Sequence, residues 1–157
     1  MTSHVAPKKP KKINPRSLAR QRTLQALYQW QHTGQDIRVI EEQFLEVEIH
    51  FSQQQSLRDG VDLEYFKMLL HGIPQEITEL DQLIKPFLDR PIAQVDLIEK
   101  IILWIGSYEL KCCLELPWRV AINESVELAK SFGADKSYQY VNGILDKVSH
   151  ALPNRIN

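Results

Sequence analysis

Five histidines could carry acid–base or metal chemistry: His4, His32, His50, His71 and His150. No two are closer than 18 positions, and none forms an HExxH pair or a Cys/His zinc spacing. Each reads as a surface or satisfied core histidine. Cys112 and Cys113 are adjacent and could chelate a soft metal or cycle between redox states. Their place at the end of an apolar helix favours packing instead, and two neighbouring cysteines form no disulfide framework. No serine sits in a GxSxG turn. The six glycines are at least ten residues apart, so GxGxxG and GxxxxGK[ST] phosphate cradles are both absent. Glu124 and Glu127 read as a solvated or ion-paired polar face. These residues point away from an enzyme, a metal site or a bound cofactor, and toward binding.

Charge says what could be bound. Met1 to Gln35 holds seven basic residues, Lys8, Lys9, Lys11, Lys12, Arg16, Arg20 and Arg22, and no acid precedes Asp36. The remaining 122 residues carry 12 basic and 20 acidic groups, so a +7 end is joined to a −8 body. Such asymmetry favours a polyanionic partner met at one end. A lysine-rich tail alone would equally suit a solubilising role, but the arginines continue into a helix. A second candidate surface is the turn around Gly133, where Lys130, Phe132, Lys136 and Tyr138 interleave rings with cations. Bases of single-stranded RNA stack on such rings while lysines meet phosphates. From its position alone, Phe132 reads as core.

The elements that must position these residues are helical. Residues 1–15, with Pro7, Pro10 and Pro15 among the lysines, read as a flexible arm. Leu24, Leu27 and Tyr28 recur at helical spacing and Gly34 stops that helix. Arg16 and Arg20 fall nearly in line with Leu24 and Leu27. Arginines are rarely fully buried, so the first turns are expected to extend beyond the core as a rigid basic edge. A second helix is expected from Asp36 with Ile37, Ile40, Phe44 and Val47 inward, and residues 50–60 read as a loop. Leu63, Phe66, Leu70, Ile73, Ile77, Leu80, Ile84 and Phe87 alternate spacings of three and four. Their register crosses Pro74 unbroken, which predicts one kinked helix.

A helix from about Val95 to Leu114 is apolar on every side at Ile101–Ile105, as a central buried helix is. Pro117 opens the next helix, with Trp118, Ala121, Ile122, Val126, Leu128, Ala129 and Phe132 on one face and Gly133 at its end. Asp135 is expected to cap a last helix running to about Val148. The class is all-α, with about six or seven helices in a single domain over 16–150 and a tail at 151–157. No stretch nears the ~18 consecutive apolar residues of a membrane span. The basic N-terminus has no apolar h-region behind it, so a cytoplasmic protein is the expectation.

Three segments carry a family resemblance. Leu24-Gln25-Ala26-Leu27-Tyr28-Gln29-Trp30-Gln31, the run from Val120 to Gly133 (VAINESVELAKSFG) and that from Tyr140 to Lys147 (YVNGILDK) resemble the NusB family of bacterial transcription antitermination factors. The resemblance spans roughly Arg16 to Val148. It implies two small helical bundles packed together and binding to boxA RNA. It further implies pairing with NusE, a small-subunit ribosomal protein, in a complex on RNA polymerase that suppresses termination, including in ribosomal RNA operons. In such proteins the arginine-rich start of the first helix contacts RNA, which here supplies Arg16, Arg20 and Arg22. The FG turn carries over to Lys130 and Phe132. Two departures stand out. Ser17 and Leu18 interrupt the arginine run, where Lys8 to Lys12 could compensate, and the 50–60 loop looks long for the family.

Two other readings compete. A helical protein-interaction or dimerisation module could carry the basic arm only as a tail, its interface on the 63–87 pattern, and a homodimer is compatible with the family. The related RNA-targeting domain of ribosomal RNA cytosine methyltransferases shares the fold, but these 157 residues offer no place for a methyl-donor site and catalytic cysteine, so a standalone factor is the expectation.

Overall fold

A computed structural model describes residues 13–55 and 60–155, the side chains of 51–55 excepted; Lys8, Lys9, Lys11 and Lys12 lie outside the described residues. Among the described residues there are six α-helices and two short 3-10 turns and no strand. The helices are α1 (Pro15–Thr33), α2 (Ile37–Gln55), α3 (Leu63–Ile84), α4 (Leu97–Cys112), α5 (Trp118–Phe132) and α6 (Ser137–Ala151).

Local chemistry sets most of their ends. Asn14 caps α1 by accepting from the Arg16 backbone N–H at 2.8 Å, with Pro15 in the first turn. Gly34 closes α1 in the left-handed region at φ 71°, which costs glycine no steric penalty. Asp62 and Asp96 cap α3 and α4, accepting from the N–H of Tyr65 at 3.0 Å and of Glu99 at 3.3 Å.

The first three helices pack as one bundle and the last three as another, joined where α3 and α1 lie on α4. That contact buries α4 from all sides: every residue from Ile101 to Ser107 is inaccessible. The all-round apolar pattern had required this. The α3 pattern also holds. Phe66, Leu70, Ile73, Leu80 and Ile84 are buried along one helix that contains Pro74. Each such side chain contributes about 1.5–3 kcal/mol on leaving water. Trp104 ties α4 to α3 by donating its indole N–H to Asp81 at 2.8 Å. At the other end Arg155 donates to the carbonyls of Glu109, Leu110, Cys113 and Leu116 at 2.5–2.9 Å. It thereby satisfies acceptors that the end of α4 leaves open, so the segment expected as a tail is fastened to the fold at this residue.

Several expectations need correction. Helix α2 runs to Gln55, through half of what reads as a loop, because nothing between Ile49 and Gln55 breaks a helix. Val47 faces solvent at 65% exposure, since α2 turns Ile37, Ile40, Phe44 and Leu45 to the core and leaves Val47 outside that apolar contact. Lys136, not Asp135, occupies the cap of α6, at φ 65°. The helix continues to Ala151. Cys113 is buried while Cys112 is exposed, and burial pushes the Cys113 thiol up to about 12.

Gly106 marks the tightest approach of the second bundle. A Cβ there would lie 2.5 Å from Leu145 and 2.6 Å from the Ser125 hydroxyl, both buried. Gly106→Ala should therefore destabilise the fold by about 1–3 kcal/mol, against the helix propensity that favours alanine by about 1 kcal/mol. Urea unfolding followed by circular dichroism measures the sign directly.

Candidate nucleic-acid interface

The capped start of α1 presents Arg16 at the surface, its side chain 48% exposed. Its guanidinium stacks 4.6 Å over the Tyr65 ring and approaches Asp62 at 3.8 Å. The Asp62 backbone N–H donates to the Pro15 carbonyl at 3.1 Å, so the entry to α3 holds the first turn of α1 in place. Arg16 is thus oriented by the Tyr65 ring and a long ion pair with Asp62 while its side chain stays half exposed.

Arg20, one turn on, is 2% exposed, which corrects the expectation of a basic edge that includes it. Its Nε donates to both Glu109 oxygens, at 3.1 and 2.9 Å. Its Nη2 donates to the Tyr65 hydroxyl at 3.4 Å, and its Nη1 lies 3.5 Å from Glu124. The Tyr65 hydroxyl donates to Glu109 in turn. The first turns of α1 do not overhang the core. Instead α4 brings an acid to meet the arginine. Burial opposes the Arg20 charge, but Glu109, Tyr65 and Glu124 together more than compensate and hold the guanidinium above its ordinary value. Burial likewise pushes the Glu109 carboxyl up, against the pull of Arg20 and the Tyr65 O–H. Burial and the nearby Glu109 raise the Tyr65 hydroxyl, keeping it a donor.

Arg22 lies elsewhere again. It pairs with Glu48 and lines a groove between α1 and α2 with Gln25, Gln29, Gln43, Phe44 and Val47. The three arginines of the run therefore occupy three environments, and Arg16 is the one presented at the helix start.

The other candidates sit at the junction of α5 and α6. Lys130 is exposed, 3.6 Å from Glu127 and 5.3 Å over the Tyr138 ring. Phe132 is half-buried against the core. Lys136 is exposed at the left-handed cap of α6.

Between these two regions runs a groove of about 430 Å³ lined by Ile13, Asn14, Ser17 and Gln21 of the α1 side and Glu124, Glu127, Leu128 and Ser131 of α5. Ser17 donates its hydroxyl to the two Glu124 oxygens, at 3.0 and 2.9 Å. Glu124 is accordingly a fixed acceptor rather than a solvated charge. Sequence reasoning missed Ser17, Gln21 and Glu124 as members of one groove, and Tyr65 and Glu109 as the support beneath it. One signal was available: Glu109 is the only charged residue between Ile101 and Leu110, and a buried acid needs a partner. Among the described residues no group of three or more His, Cys, Asp or Glu is placed to hold a metal, and no helix is long and apolar enough to cross a membrane.

Fold and surface together define an all-α, two-bundle protein with exposed cations flanking a hydrogen-bonding groove at the start of its first helix. The NusB family model matches residues 17–150. The transcription antitermination protein NusB of Nitrosococcus oceani is 51% identical over 139 residues, covering 88% of each chain. That of Alkalilimnicola ehrlichii is 46% identical over 151 residues, covering 89% of this chain and 84% of the relative. The solved structure of T. maritima NusB superposes with a TM-score of 0.72 at 25% identity, over 88% of this chain and 93% of that one. The chain belongs to the NusB family.

The Arg20–Glu109 pair gives a direct test of its own role. Arg20→Ala leaves an unpaired buried carboxylate and should cost about 3–5 kcal/mol, whereas Arg20→Leu combined with Glu109→Leu should recover most of that loss. Urea midpoints of the two variants and the unaltered chain decide it.

Proposed function

We propose that this chain is a transcription antitermination factor that binds single-stranded boxA RNA and acts with NusE on RNA polymerase in the bacterial cytoplasm. The observation that carries the reading is Arg16, an exposed guanidinium held at the capped start of α1 beside an open groove. Lys130 and Lys136 extend the cationic surface at the α5–α6 junction, and Lys8, Lys9, Lys11 and Lys12 add a basic segment immediately before α1. Cations at these positions neutralise phosphates and release counterions, a contribution that is strong at low salt and independent of sequence. Base recognition must then come from side chains between them. Among the family-implied contacts, Arg20 and Arg22 act through the fold, since each is less exposed than Arg16 and held by a closer carboxylate.

The competing reading, a protein-interaction or dimerisation module with its interface on the 63–87 pattern, loses that surface to the core, where Phe66, Leu70, Ile73, Leu80 and Ile84 are buried, and is left with the apolar side chains that α2 exposes at Val39 and Val47. Light scattering on the purified chain separates the two when combined with RNA titration. A homodimer indifferent to RNA would favour the module.

Fluorescence anisotropy across a salt series, with boxA-type and scrambled RNAs and with and without NusE, tests the proposal. Tight, salt-dependent binding that prefers the boxA-type strand and strengthens with NusE is the expected result. Arg16→Ala should flatten the slope of log affinity against log salt by about 0.7, one phosphate's worth on a single strand, with the thermal midpoint nearly unchanged. An unaltered slope would remove Arg16 from the interface.

A further inference from the structure

The groove between α1 and α5 is an unusual thing to find beside phosphate-binding cations, because its fixed polar group is an acid. Glu124 repels phosphate, yet it is built into place. Ser17 spans both its oxygens, buried Arg20 approaches it at 3.5 Å, and its side chain is 26% exposed along the groove. A carboxylate offers about four acceptor positions. One hydroxyl proton and one long contact leave acceptor capacity for a ligand. Glu127 is less suited to this role, being 68% exposed and paired with Lys130.

A groove of about 430 Å³ lies within the ~300–1,000 Å³ range of small-molecule sites. Its walls are mixed: Leu128 and Ile13 are apolar, while Asn14, Gln21 and Ser131 can form hydrogen bonds. That mixture suits a planar base, whose faces are apolar and whose edge is polar.

The choice of base follows from the acceptor. Guanine alone places two donors side by side on its Watson–Crick edge, the ring N1–H and the exocyclic N2–H, matching the two oxygens of a carboxylate. Adenine and cytosine put an unprotonated ring nitrogen beside their amino group, and uracil flanks its single N–H with two carbonyls. Each would turn lone pairs toward Glu124. Gln21, one turn along α1 from Ser17, brings a carboxamide N–H to the same groove for the guanine O6. We propose that this groove is a subsite for one guanine of single-stranded RNA, with Glu124 as the residue that determines its specificity and Ser17 as the residue that positions it. The inference rests on the RNA-binding reading and deepens it.

The test uses the full chain and four nine-nucleotide oligouridine probes carrying guanine, inosine, adenine or cytosine at the centre. Inosine keeps N1–H and lacks the N2 amino group. On the unaltered chain the guanine probe should bind roughly tenfold more tightly than the inosine probe, as expected when one arm of a two-donor contact is lost. Glu124→Gln should abolish that ratio. Taking a ratio within one protein cancels any general loss of affinity or fold. A merely structural Glu124 would weaken all four probes alike and keep the ratio, which would overturn the assignment. Salt-dependent binding with no guanine preference on the unaltered chain would overturn the subsite and leave RNA binding standing. No salt-dependent binding to any probe would overturn both.

Discussion

Arg20 and Glu109 bring opposite charges into a region closed to water, and neither could be there alone. Taking an ion out of water costs several kcal/mol even after the surroundings relax. The attraction between the two offsets that cost only when the geometry is close and the remaining donors and acceptors are filled. Here the filling comes from four helices: α1 supplies Arg20 and Ser17, α3 supplies Tyr65, α4 supplies Glu109 and α5 supplies Glu124. The pair therefore fixes where α1 stands against both bundles. Apolar burial brings these helices together without specifying their rotation or register, whereas a charge network tolerates one arrangement.

That arrangement has a consequence at the surface. Because Arg20 is held inward, Arg16 one turn earlier emerges beside Tyr65, close to the protein's boundary but supported from beneath. The Tyr65 ring lies under both guanidiniums while its hydroxyl serves Glu109. Ser17, between them in sequence, reaches across to α5 and holds Glu124 at the wall of the groove. One network thus supports the fold and prepares the recognition surface. Such preparation matters for binding a flexible single strand, since side chains already ordered lose less freedom on association.

Helices whose burial is written in their own periodicity were legible from sequence. The α3 stripe crosses Pro74 in register and α4 is apolar all round, and both lie as those patterns require. The less legible elements are those with weaker constraints. Helix α2 is half-covered, so its apolar residues do not all point inward: Ile40 does and Val47 does not. The cap of α6 went to Lys136 because the chain must reverse direction within four residues after α5, and tertiary closure there overrides the preference of Asp135 for a cap.

The sequence by itself determined the class, the helix count to within one, the buried α4, the family and the concentration of positive charge at one end. Each of these is a property of local pattern or of composition, which reads along a single line. Only the tertiary structure decided what the charges do. Arg16, Arg20 and Arg22 are chemically identical and lie within seven residues of one another, yet one is presented to solvent, one is locked to Glu109 and one is paired with Glu48. Their partners come from 26 to 104 positions away. A charged side chain's role is set by the potential and solvent around it, and no stretch of chain contains its own surroundings.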